Sequence, residues 1–238
     1  MGSRLLERSG HRVIAYDARG HGRSSPAPAP EAYGYGQLSA DLQAVLDGLE
    51  VERAVLAGAS MGGHTALALA LSQPERVGGL VVITPAFEPG AEEQARGLER
   101  WDALSRGLRQ GGIEGFLAAY GAPAVPEALQ DTVVKVIRQR LAEHKDLDAV
   151  ADALAAVPRS RPFQVIEQLS ALDMPAAVIV SGDEADPEHP AAVGRAYAEA
   201  LGSAELITDP PGRSPLAWQG GQVSKVIAAV AARAQTPS

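Results

Sequence analysis

A chain of 238 residues, 46% hydrophobic and 21% charged, carries enough apolar material for one sizeable core, with or without an inserted cap. A formal charge of -8 with no run of Lys or Arg argues against nucleic-acid binding. The absence of cysteine excludes disulfides, thiolate metal sites and a cysteine nucleophile. No stretch approaches the ~20 apolar residues of a membrane span and the opening lacks the apolar run of a signal peptide, so a cytoplasmic protein with no membrane association is expected.

In chain order, Arg12-Val13-Ile14-Ala15-Tyr16-Asp17, bounded by Ser9-Gly10 and Arg19-Gly20, reads as a buried strand. A stiff Pro26-Ala27-Pro28-Ala29-Pro30 loop leads to a helix from Leu38 to Leu49. Next come a strand over Ala54-Val55-Leu56-Ala57-Gly58, a helix from Gly62 to Gln73, and a strand over Leu80-Val81-Val82-Ile83. From Glu88 to Leu169 the apolar residues fall at helical spacing, as in Trp101, Leu104 and Leu108 or Val133, Val136, Ile137 and Leu141, with no strand among them. Pro85, Pro89, Pro158 and Pro162 punctuate its two ends. A strand over Ala176–Val180, a helix from Ala191 to Leu201, a weaker strand over Ala204–Ile207 and a helix from Gln222 to Ala232 complete the chain. This alternation predicts an α/β fold, a mostly parallel sheet flanked by helices, with residues 1–87 and 170–238 as its core and 88–169 as a helical cap.

Gly58-Ala59-Ser60-Met61-Gly62-Gly63 sits between a strand and an apolar helix, the context in which G-x-S-x-G has chemical meaning. Small residues two before and two after the serine let the backbone turn sharply, lifting the hydroxyl above the sheet edge. The Met61 N–H and the positive end of the following helix then face a developing oxyanion. A Gly-rich turn entering a helix is the plainer alternative, and the flanking strand and helix favour the nucleophile turn.

With these residues in place the chain resembles the α/β-hydrolase superfamily over nearly all of its length. Asp17-Ala18-Arg19-Gly20-His21-Gly22-Arg23-Ser24 looks like the loop after the family's fourth strand. The resemblance implies Ser60 as nucleophile, Met61 as oxyanion donor, and an acid in the turn after strand 176–180. Asp183 and Asp186 compete for that role, and Pro187 favours Asp186. The family's histidine falls where this chain has Arg213, which stays protonated and cannot take a proton from serine. His64, one helical turn past Ser60, and His189, on the loop of the acid, are the two substitutes, while His11, His21 and His144 read as solvated or structural. The family's strands before residue 12, and the one between strands 12–17 and 54–58, have no counterpart, so the core reads as N-terminally incomplete. Trp101, Phe116 and Tyr120 would roof the substrate pocket if the cap folds over Ser60, although the same spacing suits packing within the cap. Arg213 and Trp218 stand where the last loop would line that pocket.

The resulting expectation is a serine hydrolase acting on a small or medium carboxylic ester, lactone or related acyl substrate, with a small molecule as partner and neither cofactor nor metal. The alternative is an impaired member of the fold that binds a small apolar ligand or a protein. A lyase or cofactor-free oxygenase is a third class.

Overall fold

The computed structural model describes residues 3–89, 91–182, 186–208 and 219–235. Its helices are α1 (Ser3–Arg8), α2 (Tyr35–Gly48), α3 (Met61–Ser72), α4 (Ala91–Tyr120), α5 (Glu127–Ala142), α6 (Leu147–Ala156), α7 (Ala191–Leu201) and α8 (Gly220–Gln235). The strands are β1 (Ala54–Ala59), β2 (Val77–Ile83), β3 (Ala176–Val180) and β4 (Ala204–Thr208). The chain divides into two compact units. The first comprises residues 1–15, 42–89 and 162–238, the second 16–41 and 90–161.

The first unit holds the sheet. Its four strands lie in the order β1-β2-β3-β4, every pair parallel. Every residue of β2 and β3 is buried, which is why both read as unbroken apolar runs rather than alternating ones. The edge strands β1 and β4 are only partly covered. On one face Leu80, Val82, Ala176 and Val178 pack with Leu67 and Leu69 of α3 and Tyr197 and Leu201 of α7. On the other face Val81, Ile83, Ala177 and Ile179 meet Val223, Val226, Ile227 and Val230 of α8. This alternation of partners along each strand is the two-residue period of a pleated sheet with helices on both sides.

The second unit is helical. Leu104, Leu108 and Phe116 of α4 bury against Leu141, Val150 and Ala151, with Trp101 and Tyr120 packed on the same cluster. Gly112, at φ 58 and ψ -144, breaks α4 and lets its two arms fold back. Where the arms cross, a Cβ on Gly107 would run into the Gly115 carbonyl and come within 2.9 Å of Ala119 Cβ. Asp146 caps α6 by accepting from the Ala149 N–H at 3.0 Å.

Two expectations change. Residues 11–18 form no strand, because among the described residues β1 pairs with β2 alone and an apolar run becomes a strand only when a neighbour pairs with it. Residues 16–41, expected in the core, belong instead to the helical unit. Tyr33, 1% exposed, is buried with Ala149 and Ala153, and Arg19 grips Asp41 through two bonds of 2.6 Å. Gly22 donates to His144 Nδ1 and accepts from the Lys145 N–H, both at 2.8 Å. Among the described residues no helix is long and apolar enough to cross a membrane.

Candidate active site

Ser60 stands between the last residue of β1 and the first of α3 at φ 47 and ψ -116, a left-handed backbone that costs a non-glycine residue about 1–3 kcal/mol. Two backbone bonds hold it there. Its N–H donates to the Ile83 carbonyl at 2.9 Å, extending the β1–β2 ladder by one rung, and its carbonyl accepts from the His64 N–H at 3.0 Å, opening α3. The turn is tight because the first turn of α3 folds back over β1. A Cβ on Gly58 would lie 2.5 Å from Gly62 O and Gly63 N, and one on Gly63 would lie 2.9 Å from Gly58 O. Gly62, by contrast, has open space around the position of a Cβ. The steric demand expected at position 62 therefore falls on position 63. Met61, the first residue of α3, has its N–H in the turn where a helix supplies no acceptor of its own.

The neighbouring strands end in polar residues at the same edge of the sheet. Thr84, directly after β2, also has positive φ (44) and is 5% exposed, and its N–H donates to the Ile179 carbonyl at 2.8 Å. Ser181, directly after β3, is 1% exposed, and its Oγ has no hydrogen-bond partner among the described residues. Neither has a motif to announce it; the signal is only that each is a hydroxyl residue immediately following a buried strand.

After β3 the chain turns on itself, with the Asp186 N–H donating to Gly182 O at 3.2 Å and the His189 N–H to Asp186 O at 3.1 Å. That turn sets Asp186 Oδ1 2.8 Å from His189 Nδ1, with both side chains mostly shielded from solvent. A carboxylate only accepts, so His189 donates from Nδ1 to Asp186 Oδ1.

His64 is placed differently. It is 3% exposed, edge-on to Phe87 and tilted to Tyr197 at 6.1 Å between ring centroids, and its Nε2 accepts from the Phe87 N–H at 3.4 Å. Tyr197 OH donates to the carbonyl of the same Phe87 at 2.7 Å, so the two side chains clamp one peptide segment from both sides. Burial, and secondarily the nearby His189, pushes the His64 imidazole down to about 3. It is thus a neutral acceptor over the ordinary pH range.

The remaining sequence candidates separate. Trp101, Phe116 and Tyr120 pack into the helical unit's own core, where Arg100 also lies over the Tyr120 ring at 5.3 Å. Asp183, Arg213 and Trp218 lie outside the described residues.

A sequence model described as "alpha/beta hydrolase fold" matches residues 3–122. The chain is 34% identical over 185 residues to a 2-hydroxy-6-oxononadienedioate/2-hydroxy-6-oxononatrienedioate hydrolase of Paraburkholderia phymatum, covering 74% of this chain and 61% of that protein. It is 41% identical over 101 residues to 3-oxoadipate enol-lactonase 2 of Acinetobacter baylyi, covering 42% of this chain and 35% of that one. Among solved structures it is similar to a hydrolase from Pseudomonas aeruginosa, with TM-score 0.71, 27% identity, and coverage of 98% of this chain and 84% of that one. The chain spans about two thirds or less of the length of the curated relatives it matches. Sequence match, parallel sheet and strained serine turn agree: the chain belongs to the alpha/beta hydrolase fold family.

Proposed function

We propose that the protein is a serine hydrolase that cleaves a small acyl compound, an ester, lactone or related carbonyl substrate, through Ser60. The observation that carries this reading is the left-handed backbone of Ser60 between β1 and α3. Such strain persists only where surrounding contacts over-determine it, and it serves to expose one hydroxyl at the sheet's edge. Ser60 Oγ attacks the carbonyl carbon, and the carbonyl π pair moves onto oxygen. The Met61 N–H and the N-terminal end of α3 stabilise the resulting oxyanion. Collapse expels the alcohol, enol or carbon leaving group, and water releases the acyl group from Ser60. Similarity to proteins named as an enol-lactonase and as a hydrolase of an oxo-dioate supports a small carbonyl substrate.

The test is turnover of p-nitrophenyl acetate by the full chain and by Ser60→Ala. A burst of p-nitrophenolate close to one equivalent, lost about 10³-fold or more in the variant, is the expected result. Equal turnover in both proteins would defeat the reading. No turnover in either would favour the second reading, a ligand-binding member of the fold, which the arginine at position 213 favours.

A further inference from the structure

Three observations bear on which group takes the Ser60 proton. First, Asp186 and His189 form a bonded pair within one turn of chain, Oδ1 to Nδ1 at 2.8 Å, and the turn itself is closed by backbone bonds at both residues. Second, this pair follows β3 while Ser60 follows β1, with β2 between them in a parallel sheet, so all three groups rise from the same edge. Two strand spacings amount to about 10 Å between the strand axes. Third, His189 acts electrostatically on His64, whose own N–H is bonded to the Ser60 carbonyl one helical turn away. His189 is therefore near the first turn of α3, the turn that Ser60 opens.

We infer that His189, oriented by Asp186, is the general base for Ser60, an acid–base pair carried on one loop in place of a histidine near position 213. The inference rests on the serine-hydrolase reading. His189 Nε2 takes the proton from Ser60 Oγ as the Oγ–carbon bond forms, and returns it to the leaving group as the bond between the carbonyl carbon and that group breaks. A water molecule repeats the exchange in deacylation, so protons balance over the cycle. His64 takes no part in the relay. Its Nε2 accepts from the Phe87 N–H and its buried ring stays neutral, so it is not placed to take the proton. Asp186 is a positioning residue, fixing the tautomer that keeps Nε2 available.

The experiment is the rate of labelling by a fluorophosphonate in the full chain, its Ser60→Ala, His189→Ala, His189→Asn and Asp186→Asn variants, with and without added imidazole. Asparagine keeps a donor toward Asp186 but has no basic nitrogen. The expected result is labelling of the parent, none in Ser60→Ala, a drop of about 10²–10⁴-fold in both His189 variants, and partial recovery of His189→Ala in imidazole. Asp186→Asn lowers kcat for an ester with KM little changed. Parent-like labelling of His189→Asn, with Ser60→Ala silent, would overturn the base while leaving the nucleophile standing. A loss in His189→Ala that imidazole does not restore and that comes with a lowered thermal midpoint would overturn it equally, as a purely structural role. A parent chain that does not label at all would remove the serine reading and this inference together.

Discussion

Gly58 and Gly62 occupy symmetrical places around Ser60 in the sequence, yet only one is sterically required. A side chain at 58 would strike the backbone of the first turn of α3, whereas position 62 faces open space. Gly58→Ala should lower unfolding stability by about 1–3 kcal/mol. Gly62→Ala should be neutral or stabilising by up to about 1 kcal/mol, since alanine is the better helix former. Urea denaturation of the two variants side by side checks the contrast, and equal losses would contradict this account of the turn.

His64 yields a pH prediction. Burial holds its folded-state value down at about 3 against an ordinary 6.5, so the unfolded chain binds the proton first as pH falls. The stability it contributes is complete above 6.5 and declines by roughly 1.4 kcal/mol per pH unit from there toward the folded value. His64→Gln, whose amide oxygen can accept from Phe87, should flatten that slope in urea titrations between neutral pH and about pH 4.5. An unchanged slope would contradict the burial argument. The serine turn was legible in the sequence because its signal is local: two glycines and a serine between an apolar strand and an apolar helix. The separation of His64 from His189 was not. It depends on α3 being covered around the positions of Gly63 through Leu67, and on a loop turn that brings residue 186 onto 189.

At the scale of elements, α2, α3, α7 and α8 follow the periodicity within a few residues, and β1 through β4 are the apolar runs the sequence marks. Residues 12–17 show the limit of that reading. Val13, Ile14 and Tyr16 carry strand propensity, but pairing is a tertiary property, and among the described residues β1 has its one ladder with β2. The helical insertion was legible as helix, but the fold-back of α4 was not, because Gly112 sits among several glycines that look alike in sequence. Structure distinguishes them. Gly107→Ala should destabilise the helical unit by about 1–3 kcal/mol through its clash at the arm crossing. Gly111→Ala, with open space at its Cβ position, should cost nothing. Thermal unfolding of the two variants decides between a required crossing and an incidental one.

At the scale of the whole molecule, a parallel sheet covered on both faces leaves its carboxyl edge as the place where loops gather, and α/β folds use that edge for ligands. Here the edge carries Ser60, Thr84, Ser181 and the Asp186–His189 pair, each directly after a strand or within the loop that follows it. Composition predicted the fold class because the inner strands must be apolar on both faces. It could not predict that residues 16–41 join the helical unit, which depends on Tyr33 and Gly22 finding partners far along the chain. The central claim concerns one atom, and it is tested most directly by mapping the fluorophosphonate adduct with tandem mass spectrometry. A single adduct on Ser60 of the native chain, absent after denaturation before labelling, is the predicted result. An adduct on another residue, or an unmodified Ser60, would contradict the account.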